Sequence, residues 1–298
     1  MTVLSNRAPR RVDHVVLPTA DLTVARHRLS ALGFTVAPAA EHPFGTGNAC
    51  VYFADDTYLE PLAVMQRETC EEAARAGNVF VRHDQAFRFR CGEEGFSALV
   101  MATEDAARDC RAFAEAGISA GSNLSFSRTY VTASDEQADA RFELAFAADL
   151  RAPDVFFFTC QRINPLNVDR SVLQRHVNGV NGIRQVVLSE RNPSDFQYLL
   201  QEVTNQREVT AHSFGIDLAA ANADIAVLNP AGLKGFLGLE DHDEGRGLRL
   251  RAVVFATATL ATLEQRLRQS GIGFERVGQR LVVPAAPGQG AVFAFEPA

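Results

Sequence analysis

Residues 42–64 read HPFGTGNACVYFADDTYLEPLAV and bring a histidine, an asparagine and a lone carboxylate into one short reach of chain. Glu60 stands among Tyr58, Leu59, Pro61, Leu62, Ala63 and Val64. A carboxylate in apolar company is costly to bury unless it is paired, hydrogen-bonded or bound to a cation. His42 and Asn48 flank Gly45 and Gly47. Two glycines let the backbone turn sharply and approach a ligand closely. Asn48 can bind a carbonyl or stabilise the turn itself, so a plain hairpin turn with a satisfied histidine explains the same residues. Arg128 lies in FSRTY. Its fork suits the two oxygens of a carboxylate-bearing ligand, and an ion pair with a nearby acid is the ordinary alternative. Along the run Phe156, Phe157 and Phe158, strand alternation sends neighbours to opposite faces. Phe157 is the one expected to face a cleft if the other two enter the core.

Composition limits what these residues can serve. A chain of 298 residues suggests about two domains at roughly 100–200 residues each. Hydrophobic residues make up 47% and charged residues 22%, enough apolar material for a sizeable core. The 29 basic residues are outnumbered by 36 acidic ones, which argues against a nucleic-acid partner because phosphate binding needs a basic face. No run approaches the ~20 apolar residues of a membrane span, and no signal-peptide pattern opens the chain. A cytoplasmic location is expected. The five cysteines, Cys50, Cys70, Cys91, Cys110 and Cys160, are odd in number and never at CxxC spacing. Buried free thiols are the expected reading.

One unit recurs along the chain. Val12–Leu17 reads as a strand, Asp21 caps a helix through Leu22, Ala25, Leu29 and Leu32, and Gly33 stops it. Phe34, Val36 and the runs around Val51 and Leu59 read as further strands. The same grammar returns near residues 96, 183 and 250. In the second copy Thr103–Asp105 and Gly117–Ile118 mark the helix ends, and in the third Asn192 is the N-cap with Pro193 in the first turn. Residues 66–86 read as a polar connector with a short helix pattern. The fold class expected is α+β: four βαβββ modules forming two curved, incompletely closed mixed sheets with helices outside. The segment 161–182 links two halves, which gives domains 1–165 and 166–298.

Four such modules resemble the vicinal oxygen chelate superfamily, in which paired modules curve around a central cleft. Asp13-His14, HPFGTGN at 42–48 and YLE at 58–60, with FSRTY and PDVFFFT further on, resemble the glyoxalase-like domain family over roughly residues 11–165. The second half resembles the superfamily only by module order. The resemblance implies metal ligands from the first and last strands of a module. For the first module these are His14 and Glu60, which also become the catalytic candidates. YLEP, VLNP and AFEP align Glu60, Asn229 and Glu296, with Thr159 or Cys160 in the second module. The first-strand positions are His14, Ala98, Gln185 and Ala252. Gln185 and Glu296 are secondary metal candidates.

Imidazole and carboxylate suit one divalent ion, Zn, Mn, Ni or Fe, and such an ion acts as a Lewis acid in proton transfer. Without it, His14 and Glu60 pair across the sheet. His42, Asn48, Tyr58, Arg128 and Phe157 are the substrate-binding candidates. The resemblance thus implies a glyoxalase-like protein that binds a small oxygen-rich or aromatic molecule, as a metal-dependent lyase or isomerase. A non-catalytic small-molecule binding protein, of the kind that sequesters antibiotics, is the competing reading. An extradiol dioxygenase would need an iron triad, and Gln185 and Ala252 stand where its histidines belong. A homodimer stays open, since modules pair between chains in this superfamily.

Overall fold

The structure, a computed structural model, describes residues 8–131, 137–164, 169–240 and 245–298. Two mixed sheets organise the chain. The first holds β1 (Val12–Pro18), β2 (Ala40–Glu41), β3 (Thr46–Asn48), β4 (Val51–Tyr52), β5 (Tyr58–Val64), β6 (Ala98–Ala102), β7 (Leu124–Val131), β8 (Gln137–Ala147) and β9 (Phe156–Arg162). The second holds β10 (Val180–Ser189), β11 (Thr210–His212), β12 (Gly215–Ala219), β13 (Asp224–Leu228), β14 (Arg249–Thr257), β15 (Glu275–Val277), β16 (Arg280–Val283) and β17 (Val292–Pro297). The strand orders match: β2-β3-β5-β1-β6-β9-β8-β7 in one, β11-β12-β13-β10-β14-β17-β16-β15 in the other. The first curls into a nearly closed barrel and the second stays open. The expected α+β class and module grammar therefore hold.

Each sheet is built on a central antiparallel pair, β1 with β6 and β10 with β14, and each central strand has a parallel neighbour from its own module. The helices between strands are α1 (Leu22–Ala31), α2 (Arg67–Arg75), α3 (Val79–Cys91), α4 (Ala106–Glu115), α5 (Gln197–Thr204), α6 (Pro230–Leu237) and α7 (Leu260–Gln269). Asp21 caps α1 by accepting from the Thr23 and Val24 amides, and Asp105 caps α4 by accepting from Arg108. None of the described helices is long and apolar enough to cross a membrane.

The outer faces of both sheets feed one core. Val15, Leu17, Leu99 and Phe157 of the first sheet join Val186, Leu188, Phe255 and Phe293 of the second. Leu29 of α1, Phe113 of α4, Leu199 of α5 and Leu263 of α7 fill the space between. These four helices thus lie outside each sheet yet between the two. The inner faces are treated differently. In the second half Leu233 and Leu237 of α6 pack onto Val187, Ala226, Ala252, Val254 and Ala294, so that face is filled. In the first half α2 and α3 cover only part of it, through Cys70, Ala74, Val79 and Phe80.

One local expectation is corrected. Phe34 and Val36 form no strand; Arg26 donates to the Val36 and Ala37 carbonyls at 2.9 and 2.6 Å, so this backbone is satisfied by a side chain. Residues 66–86, read as a connector with a short helix pattern, fall largely in the helix pair α2 and α3. Asn192 stands at the expected N-cap position with Pro193 in the first turn, but the element it opens is the 3-10 turn Pro193–Phe196 ahead of α5, and its side chain makes no cap hydrogen bond.

Candidate functional site

The register of β1 against β5 builds the centre of the site. His14 lies opposite Tyr58, and Val16 opposite Glu60. Residues two apart share a strand face, so His14 and Glu60 rise on the inner face together. Asn48 of β3 lies opposite Leu62 and joins them. The Glu60 carboxylate is 6% exposed. Its Oε2 is 3.3 Å from His14 Nε2, and its Oε1 accepts from Asn48 Nδ2 at 2.5 Å. The other His14 nitrogen, Nδ1, contacts Asp13 Oδ2 at 2.7 Å. Arg162 clamps that aspartate with both Nη atoms, at 2.7 and 2.9 Å. The chain Arg162–Asp13–His14–Glu60 alternates in sign and is buried except at Arg162.

The surroundings set the charges. Burial pushes His14 toward neutrality, but hydrogen bonds and attraction from Asp13 and Glu60 outweigh it and raise its pKa. Both ring nitrogens face carboxylates, so both act as donors, as an imidazolium requires. Burial likewise opposes ionisation of Glu60, yet the His14 contact and the charges nearby hold it at about 2. Asp13 is held at about 2 against its burial by Arg162 and His14. His42 behaves in the opposite sense. Burial, then the positive charge of Arg128, push it down to about 3, so it stays neutral. Its Nε2 is 3.7 Å from Glu60 Oε1, its Nδ1 meets Thr46 Oγ1 at 2.9 Å, and its ring stacks on Phe44 at 4.9 Å. The tight turn that sets this histidine needs Gly45: its φ is +92°, and an added Cβ would fall 2.6 Å from the Gln66 carbonyl oxygen.

These groups line one end of a cavity of about 770 Å³, counting its open mouth. Phe44, Phe80, Phe126, Phe142 and Phe158 form apolar walls. Tyr58 stacks on His14 at 4.3 Å. Arg128 enters from β7, where its Nη1 reaches Asn48 Oδ1 at 3.4 Å. Its Nε and Nη2 are buried without a partner among the described residues. The ion pair that was the alternative for this arginine is not made at these two atoms among the described residues.

Most sequence candidates meet in this cavity: His14, Glu60, His42, Asn48, Tyr58 and Arg128 all line it. Phe157 is corrected. It is fully buried in the outer core, and the alternation runs in the other phase, so Phe158 faces the cavity. Gln185 and Glu296, the secondary metal candidates, lie in the second sheet and do not line this cavity. There Arg280 bridges them, donating to Glu296 Oε2 at 2.8 Å and to Gln185 Oε1 at 3.2 Å. The register also revises the alignment of modules. Ala226 stands where Glu60 stands, and Asn229 caps α6 by accepting from Gly232. Val100 and Val254, rather than Ala98 and Ala252, match His14 and Gln185. Cys160 matches Glu296. Asp13 stood in the motif without a role, and its neighbour in sequence hinted at one. Arg162, Phe44 and Phe158 carried no signal beyond strand alternation.

A divalent ion was expected between His14 and Glu60. The other two superfamily positions around this cleft are Val100, which has no donor, and Cys160, whose thiol is pushed up by burial. Gln161 is spent on α4, accepting from the Ala106 amide and donating to the Glu104 carbonyl. Among the described residues no group of three or more His, Cys, Asp or Glu side chains is arranged to hold a metal. A resident ion with three protein ligands does not fit this donor set. His14 and Arg128 already supply the positive charge that offsets Glu60.

Comparisons with known proteins agree with the architecture. A family model described as a glyoxalase-like domain matches residues 12–204. No curated protein matches the chain. Among solved structures, a hypothetical protein from Staphylococcus aureus aligns with a TM-score of 0.66 at 13% identity, covering 96% of this chain and 99% of its own. A mutant of 4-hydroxymandelate synthase from Streptomyces coelicolor gives 0.56 at 12% identity, covering 97% and 92%. The Mn(II)-bound glyoxalase from Novosphingobium aromaticivorans gives 0.52 at 14%, covering 96% and 82%. At these identities the likeness is one of fold.

Proposed function

We propose, from the premise that this chain belongs to the glyoxalase-like domain family, that its first-half cleft binds a small aromatic anion through Arg128. The observation that carries this reading is the pair of buried Arg128 donors, Nε and Nη2, without protein partners among the described residues. A buried donor left unmade costs about 1–3 kcal/mol, more when charged. A carboxylate or similar planar oxyanion satisfies both at once, in the bidentate manner the guanidinium favours. The phenylalanine walls take an aromatic body and exclude water from the pair.

A second reading adds chemistry on the same ligand and rests on the Glu60–His14 pair. Arg128 touches Asn48, and Asn48 touches Glu60. An anion on Arg128 therefore sits beside a buried carboxylate. It also cancels one of the charges that depress Glu60, which makes that carboxylate more basic. Glu60 would take a proton from a ligand carbon and return it to a neighbouring carbon of the same molecule. Arg128 would hold the charge that develops on oxygen. This is an isomerisation that needs no co-reactant.

The test is a thermal-shift screen of small aromatic carboxylates against their uncharged amides. The reading expects the acids to raise Tm and the amides to leave it unchanged. An Arg128→Met protein that is stabilised equally by the same acids would overturn it.

A further inference from the structure

The segment that joins the two halves returns to the first-half cleft. Gln174 Nε2 donates to the Phe53 carbonyl at 3.0 Å, and His176 Nε2 lies 2.9 Å from the Tyr52 carbonyl oxygen. On its other side the Thr35 amide donates to His176 Nδ1 at 2.9 Å, and Thr35 Oγ1 donates to the Arg175 carbonyl at 2.6 Å. His176 is thereby fixed in one tautomer, Nε2 donating and Nδ1 accepting. The connector is strapped against Tyr52 of β4, which walls the cavity, and its neighbour Phe53. Its placement carries Arg170 to a site 4.5 Å above the Tyr52 ring, and both residues line the cavity. Arg170 also lines an adjoining hollow with Asp56 and Gln174.

Charge makes this position informative. Arg128, Arg162 and Arg170 line the cavity, with Glu60 among them and Asp13 behind His14. Asp13 is consumed by Arg162, and Glu60 faces His14 and Asn48. Arg128 and Arg170 have no carboxylate partner among the described residues. The chain as a whole carries a net charge of −7, so this excess of positive charge is local to the cleft.

We infer that Arg170 is a second anion-recognising residue of the cleft, delivered by the connector, and that the ligand class is an aromatic diacid. One acid group sits on Arg128, the aromatic body lies along the phenylalanine walls, and the second acid group reaches Arg170. The inference rests on the reading of the cleft as an aromatic-anion site and narrows it.

Calorimetric titration of the full chain with matched acids tests it. Benzoate is compared with terephthalate, and 2-naphthoate with 2,6-naphthalenedicarboxylate. The wild type should bind each diacid about tenfold more tightly than its monoacid, the size of one charge-assisted contact. Arg170→Gln should remove that preference, lowering diacid affinity about tenfold more than monoacid affinity, while Arg170→Lys should retain part of it. The preference should shrink as salt rises. Diacids that bind no better than monoacids overturn the inference and leave the Arg128 reading standing. So does an Arg170→Gln protein that keeps the preference, or loses mono- and diacid affinity equally. If neither member of either pair binds the wild type, both readings fall together.

Discussion

His14 Nε2 lies 3.3 Å from Glu60 Oε2, while His14 Nδ1 lies 2.7 Å from Asp13 Oδ2. One imidazolium thus serves two buried carboxylates, and Arg162 balances the second of them. The carboxylate that looked costly in an apolar strand is offset by a protonated neighbour and an amide, within the protein's own donor set.

That arrangement makes Glu60 a structural hub as well as a site residue. Glu60→Ala leaves a buried imidazolium and a buried amide short of an acceptor. It should cost about 3 kcal/mol in urea denaturation and lower the His14 pKa followed by NMR. A loss below about 0.5 kcal/mol, the level of a neutral surface change, would show that the pair contributes little.

His42 makes stability depend on pH in a defined window. Its folded pKa is depressed to about 3 from 6.5, by burial first and Arg128 second. Below pH 6.5 the unfolded chain takes up a proton that the folded chain refuses, so stability falls as pH drops from 6.5 toward 3. His42→Gln should flatten that fall in Tm measured between pH 6.5 and 4. Equal slopes in the two proteins would remove His42 from the account.

Phe157 and Phe158 are neighbours with separate duties. Phe157→Ala should cost about 3–5 kcal/mol as a core cavity with ligand affinity unchanged. Phe158→Leu should change ligand affinity while costing less stability than Phe157→Ala, since it removes fewer buried atoms. Denaturation and titration of both variants check this. An affinity change in Phe157→Ala alone would mean that the faces have been assigned the wrong way round.

The donor set also predicts weak metal binding. Protein purified and then incubated with manganese, zinc, nickel or iron should retain well under one ion per chain by mass spectrometry. A stoichiometric ion that disappears in both His14→Ala and Glu60→Ala would reverse this reading.

The modules were legible because each repeats the same local grammar. A β-branched strand, an Asp21 or Asp105 cap and a glycine stop are all written in adjacent residues. The pairing of His14 with Glu60 was legible through a motif. The clamp of Arg162 on Asp13 was not, since those residues are 149 positions apart and meet only through the sheet. Arg170 was hidden for the same reason: it lies in a connector whose docking depends on His176 reaching Thr35 and Tyr52. The alignment of VLNP with YLEP failed because Asn229 and Pro230 open α6, a helix that fills the second cleft. An asparagine followed by proline is a helix start, and here that local signal outranked the repeat.

The most direct test of the central claim is a titration of the wild type and Arg128→Met with 2-naphthoate and 2-naphthamide. The wild type should bind the acid and discriminate against the amide by tenfold or more, about 1.4 kcal/mol, and Arg128→Met should erase the discrimination. Equal binding of acid and amide by the wild type, or a variant that still prefers the acid, would contradict it.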